Sequence, residues 1–185
     1  MPVTPTHMIP AATVYFLVFR RLNGLAFFFG TLLIDLEPVL YLFFNVNYPQ
    51  VPLLFGGFAQ QGLHMVTHSP FSVVLLVAPL MLLLTKAVEL TGKGFLLRVF
   101  SGAEWINYSI KQTYFSALFG AFLHLGWDIT MHQDLNLGFP FVNFTNPFVN
   151  FQAYTVIFLV SLIMILPAYL IGKRLSRTSP FKKLP

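Results

Sequence analysis

Apolar residues in this chain come in long runs, broken at only a few places by ionisable groups. A helix needs about 20 apolar residues to cross the roughly 30 Å hydrocarbon layer of a bilayer. Four runs approach that length. Residues 22–44 form the first, interrupted by Asp35 and Glu37. Residues 71–85 form the second and extend backwards towards residue 62. Residues 112–127 form the third, continuing to 131, and residues 151–172 the fourth, with a kink expected at Pro167. A shorter run, residues 9–19, precedes them; it is too short to cross unaided and is read as half-inserted against its neighbours. Residues 95–108 mix Leu, Val, Phe and Trp with Arg98 and Glu104, the pattern of a helix lying at the cytoplasmic interface. The pattern predicts an all-α integral membrane helical bundle with four long transmembrane helices, a short N-terminal helix and an interfacial cytoplasmic helix. No linker or domain-scale repeat divides the chain, so residues 1–185 read as one domain with a basic tail over 173–185.

Composition sharpens this picture. Of 185 residues, 56% are hydrophobic and 9% charged, and the mean hydropathy is +0.73. A soluble domain carries about 25% charged residues, so a soluble globule and a disordered chain are both excluded. The net charge of +5 and pI near 9.6 would suit a nucleic-acid binder, but the bases are placed otherwise. Arg20 and Arg21 precede the first run. Lys86, Lys93, Arg98 and Lys111 lie between the second and third, and Lys173, Arg174, Arg177, Lys182 and Lys183 follow the fourth. The loops 45–61 and 133–150 hold no Lys or Arg. This is a positive-inside pattern. It predicts a multi-pass protein of the cell membrane with its C-terminus in the cytoplasm, its N-terminus and those two loops outside, and no nucleic-acid partner. Residues 140–144 and 147–151 both read PFVNF, aromatic and proline-containing, suited to an interfacial anchor or to a lid over a site.

Against this apolar background the ionisable groups stand out, because such groups are costly in lipid and usually functional. The five histidines fall into three strings: His7; His64, Thr67, His68 and Ser69; and His124, Asp128 and His132. A fourth string holds Asp35, Glu37 and Pro38. Residues four apart share one face of a helix, so His124, Asp128 and His132 form one polar stripe. His64 and His68 have the same spacing, but Pro70 disfavours helix just ahead of it. In the predicted orientation every string lies in the outer half of the membrane or at its outer edge. The chain has no cysteine, so a shared site of histidines and carboxylates suits zinc or a similar first-row divalent ion. The bland alternatives are a proton relay or hydrogen-bonded seam for the stripe, and helix packing for Asp35 and Glu37. Thr67 and Ser69 read as helix caps, with holding a phosphate oxygen as their functional alternative. His132 is the weakest ligand of its string. A bis-histidine haem would leave the acids unexplained.

These strings have a familiar order. His7 near the start, the set Gly30, Asp35, Glu37 and Pro38, the set His64, Thr67, His68 and Ser69, and the set His124, Asp128 and His132 resemble the small membrane-bound metal-dependent hydrolases. More narrowly they resemble a sister family catalogued as a domain of unknown function, over residues 2 to about 132. That group is related in turn to zinc-dependent phospholipase C and the single-strand-specific zinc nucleases, which bind three zinc ions through His, Asp and Glu. The resemblance implies His7, Asp35, His64, His68, His124 and Asp128 as ligands of one to three zinc ions. This chain departs from the family in having Met65 where many members carry Arg, and Glu37 where they often carry Asp.

The resulting expectation is metal-assisted hydrolysis of a phosphoester, either a small molecule or a membrane lipid phosphate, at the outer half of the membrane. Asp35 would bind metal and orient the attacking water, and Glu37 would serve as an outer carboxylate or general base. The phosphoester itself rests on the resemblance. The rivals are a divalent-cation transporter, disfavoured by the lack of His or acid in the inner halves of the runs, and a non-catalytic membrane protein with a residual metal site.

Overall fold

The structure is a computed structural model that describes residues 5–18, 22–44, 51–59, 64, 66–91 and 108–178. Six helices are seen among these residues: α1 (Pro5–Leu17), α2 (Gly24–Leu33), α3 (Leu36–Phe44), α4 (Pro70–Leu90), α5 (Ile110–Met131) and α6 (Phe151–Thr178). There is no strand among them, only two isolated bridges, Pro52 to Phe58 and Asn136 to Thr145. The interfacial helix expected at residues 95–108 lies almost wholly outside the described residues.

Helix α5 is the centre of the bundle and α2 packs on it most extensively. Small residues permit this closeness. A Cβ at Gly30 would collide with the Ala117 carbonyl oxygen, and one at Gly120 with that of Phe27. The two glycines thus seat each helix against the other's backbone. Ala26, Ala117 and Ala121 join Ile34, Val73, Val77, Met81 and Leu125 in the core that α2, α4 and α5 share. Helices α1 and α6 form a second layer, packed on each other, with Tyr15, Phe27, Phe28 and Trp127 filling the space towards α2 and α5.

Local sequence accounts for the helix ends. Asn23 caps α2 by accepting from the Ala26 amide (3.2 Å). Ser109 and Gln112 form a capping box at the start of α5. Ser69 caps α4 by accepting from the Ser72 amide (3.1 Å), with Pro70 as the first helical residue. Residues Val73–Val77 of α4 form a π-turn, and within it the Val74 carbonyl accepts a hydrogen bond from the Tyr114 hydroxyl (3.0 Å).

Four long spans are not what forms. Two helices, Pro70–Leu90 and Phe151–Arg174, are long and apolar enough to cross a membrane. The first expected run is split into α2 and α3, which meet at 44° and count as at most one bent span. Pro38 supplies the reason. It has no N–H to give the Ile34 carbonyl, and its ring crowds that oxygen. The Thr67 hydroxyl takes the freed carbonyl instead (2.8 Å). The third expected run does form a 22-residue helix, α5, but it is too polar to qualify as a span. It buries Thr113, Ser116, His124 and Asp128 against neighbouring helices, so other helices rather than lipid form much of its surroundings. Helix α4 continues to Leu90, beyond the expected end at 85, and α6 runs through Pro167 as one helix.

Candidate metal centre

All five histidines meet at one end of the bundle. Their rings form a continuous row: His7 to His124 (4.5 Å between centroids), His124 to His68 (5.7 Å), His68 to His64 (4.7 Å) and His64 to His132 (4.2 Å). They arrive by three routes. His7 comes from α1 and stands parallel to the Trp127 ring. His124 and Asp128 lie one turn apart on α5, and His132 ends that helix. Asp35 sits in the break between α2 and α3. His64 and His68 belong to the turns ahead of α4, outside any helix, as Pro70 suggested.

Asp128 is the hub. Its carboxylate lies 2.9 Å from His124 Nε2, 3.1 Å from His68 Nε2, 3.4 Å from His7 Nε2 and 3.8 Å from His132 Nε2. Asp35 Oδ1 lies 3.1 Å from His124 Nε2 and 3.2 Å from His68 Nε2. Three overlapping sets result, each with one donor atom per residue and all atoms of a set within 4.8 Å of one another: Asp35, His64, His68 and Asp128; His7, Asp35 and His124; and His64, His132 and Asp134. His7, His68, His124 and Asp128 are at most 1% exposed.

His68 Nε2 and Asp35 Oδ1 form a hydrogen bond (3.2 Å), but the atoms round Asp128 are close without one. Neither ring nitrogen of His7 or His124, and neither oxygen of Asp128, has a partner in hydrogen-bond geometry, although the approaches are as short as 2.9 Å. A buried carboxylate left in that state costs several kcal/mol. Nitrogen and oxygen atoms that crowd a common point in this way could hold a cation. The donor set, imidazole and carboxylate without thiolate, fits zinc or a similar divalent ion.

One ligand is held by a visible support. Glu37 does not join the row. Its carboxylate accepts from the amides of Val66 (2.9 Å) and Thr67 (2.7 Å) and faces the Thr67 hydroxyl (2.9 Å) and the Tyr41 hydroxyl (3.3 Å). Both oxygens accept hydrogen bonds that hold the Val66–Thr67 turn, so Glu37 supports the segment that carries His68. The Thr67 oxygen faces three partners: the Ile34 carbonyl, Glu37 and His68 Nδ1 (2.9 Å). These contacts fix the His68 ring, whose Nε2 faces Asp35 (3.2 Å) and Asp128 (3.1 Å). Thr67 is thus a support for His68, whereas Ser69 is a helix cap.

Asp134 was missed. It lies in a loop read from the sequence for its lack of bases and its aromatic repeat, and its Oδ2 is 3.1 Å from His64 Nδ1. Partial burial works against its charge, but the His64 contact and nearby His132 hold its pKa down at about 2. Its signal was available: it is the one acid in the two loops 45–61 and 133–150. Those loops also meet each other beside the site. Leu54 N donates to Pro140 O (2.8 Å) and Phe55 N to Phe141 O (3.2 Å), over a small core of Leu53, Ala59 and Phe139. Phe55, Phe58, Phe144 and Phe148 remain exposed on this cap.

No family model, curated protein or solved structure matches this chain.

Proposed function

We propose that this chain is a membrane-embedded metal-dependent hydrolase acting on a phosphoester, with its centre at the outer side of the membrane. The carrying observation is the buried group round Asp128, whose two oxygens and the ring nitrogens of His7 and His124 approach one another without hydrogen bonding. His7, Asp35, His64, His68, His124 and Asp128 would hold zinc or a similar ion, and Thr67 orients His68 for it. A divalent ion bound there supplies Lewis acidity and lowers the pKa of a coordinated water. Asp35 and Asp128 face that same point, where they can orient an attacking water and hold its proton. The resemblance of the four strings to membrane-bound metal-dependent hydrolases supports the phosphoester as substrate class. A site beside exposed aromatic side chains suits a lipid phosphate entering from the headgroup zone.

The opposite end of the bundle argues against transport. Asn23, Lys86 and Glu89 bond to one another and to Thr113 and the Tyr108 carbonyl, which leaves no matching cation site there among the described residues. The test uses full-length protein purified in detergent, with its metal content measured and a panel of phosphomonoesters and phosphodiesters assayed beside Asp128→Asn. Bound metal and ester hydrolysis, both lost in the variant, are expected. Hydrolysis that persists in metal-free protein sinks the reading, and metal-dependent flux in liposomes without hydrolysis replaces it with transport.

A further inference from the structure

Depth divides the histidine row into two parts. The side chains of His7, His68, His124 and Asp128 are 0–2% exposed, whereas those of His64, His132 and Asp134 are 8%, 12% and 37% exposed. The outer three form a second group that shares His64 with the buried one. His64 Nδ1 lies 3.1 Å from Asp134 Oδ2 and His132 Nδ1 lies 3.9 Å from Asp134 Oδ1, so the two oxygens of one carboxylate face two imidazoles. Those imidazoles are 4.2 Å apart at 33°. One donor atom from each residue lies within 4.8 Å of the others.

We propose that His64, His132 and Asp134 form a second divalent-cation site at the mouth of the centre, loaded separately from the buried one and more weakly. Its ligand class is a first-row ion that accepts two imidazoles and a carboxylate, zinc or cobalt(II), with remaining positions open to water or to a substrate oxygen.

Two further observations support it. The mouth site is built on a fixed helix end. His132 N donates to Asp128 O (2.8 Å), and Asn146 Nδ2 donates to the carbonyls of His132 (2.8 Å) and Ile129 (2.6 Å). The negative end of the α5 dipole therefore faces the site, which favours a cation. The second observation is charge. Loops 45–61 and 133–150 hold no Lys or Arg, and Lys86, Lys111, Lys173 and Arg174 lie towards the other ends of their helices. With neutral histidines, Asp35, Glu37, Asp128 and Asp134 leave the centre net negative with one divalent ion and neutral with two. An anionic ester would be repelled in the first state and not in the second. This last point rests on the hydrolase reading; the mouth site itself does not.

The test is ion binding, not turnover. Full-length protein in detergent is stripped of metal and titrated with Co²⁺, followed by visible absorption and by elemental analysis after dialysis. Two classes of ion are expected, the weaker removed by a mild chelator. Asp134→Asn should weaken the second class by at least about tenfold and leave the first intact, and His132→Gln should do the same. Asp128→Asn should abolish the tight class. A single class in the wild type overturns the proposal, as does a second class unchanged in both mouth variants. A chain that binds no ion in either class overturns both this site and the buried centre. Two ion classes without hydrolysis of any ester leave the mouth site standing and overturn only the proposed activity.

Discussion

The two ends of the bundle each hold a polar cluster drawn from α2, α4 and α5 and the turns beside them, joined at the histidine end by His7 of α1, and the clusters are built on opposite principles. Near the start of α2 and α5 and the end of α4, Asn23 donates to Glu89 (3.0 Å) and Thr113 (3.3 Å), and its own amide donates to the Ser116 hydroxyl (2.9 Å). Lys86 donates to Glu89 (2.6 Å) and to the Tyr108 carbonyl (3.0 Å). Every one of these contacts joins a donor to an acceptor, so the cluster is complete in itself and clamps three helix ends. At the histidine end, Asp128 lies close to four imidazoles and bonds to none of them in hydrogen-bond geometry. Polar burial alone does not point to a ligand; polar burial left without hydrogen bonds fits one, because a bound ion could repay its desolvation.

The largest test of that contrast is Asp128→Asn. It should weaken tight zinc binding by more than about 100-fold, beyond the 10–100-fold typical of a lost supporting group, as read by elemental analysis and by loss of zinc-dependent thermal stabilisation. Next comes the joint between the two ends. Gly120→Leu drives a side chain into the Phe27 carbonyl and should cost about 3 kcal/mol or more, seen as a fall in Tm with or without metal. A smaller effect is expected of Thr67→Val, which deprives His68 Nδ1 and the Ile34 carbonyl of their partner. Zinc affinity should fall by about 10–100-fold while the fold survives. The smallest belongs to the complete end: Glu89→Gln keeps the Asn23 contact and weakens the partly exposed Lys86 pair, for a cost of about 1 kcal/mol or less. It should leave metal content unchanged. Metal loss in Glu89→Gln as deep as in Asp128→Asn would erase the distinction between the two ends.

Much of the site was legible because the chain offers so few polar groups. The four-residue spacing of His124, Asp128 and His132 marked a single helix face, and Pro70 spoke against helix just ahead of it. Glu37 was harder. From the sequence it is a second carboxylate beside Asp35, suited to the same chemistry. Its true neighbours, the amides of Val66 and Thr67, are some thirty positions away, and no local pattern announces them. The bend at Asp35 shows the same division. Pro38 signals that the Ile34 carbonyl lacks its helical partner, but the hydroxyl that takes the carbonyl comes from Thr67.

The sequence by itself determined the helical class, the apolar runs, the absence of thiolate ligands and the gathering of histidines towards one end, because periodicity and composition are properties of short segments. Only the tertiary structure decided that α5 is enclosed by other helices, that Asp128 is the hub, that Asp134 joins the row and that Glu37 turns away to hold a loop. Coordination and hydrogen bonding differ by angles and by a few tenths of an ångström between groups far apart in the chain. Those relations are created by packing, above all by the two glycines that let α2 and α5 meet backbone to backbone.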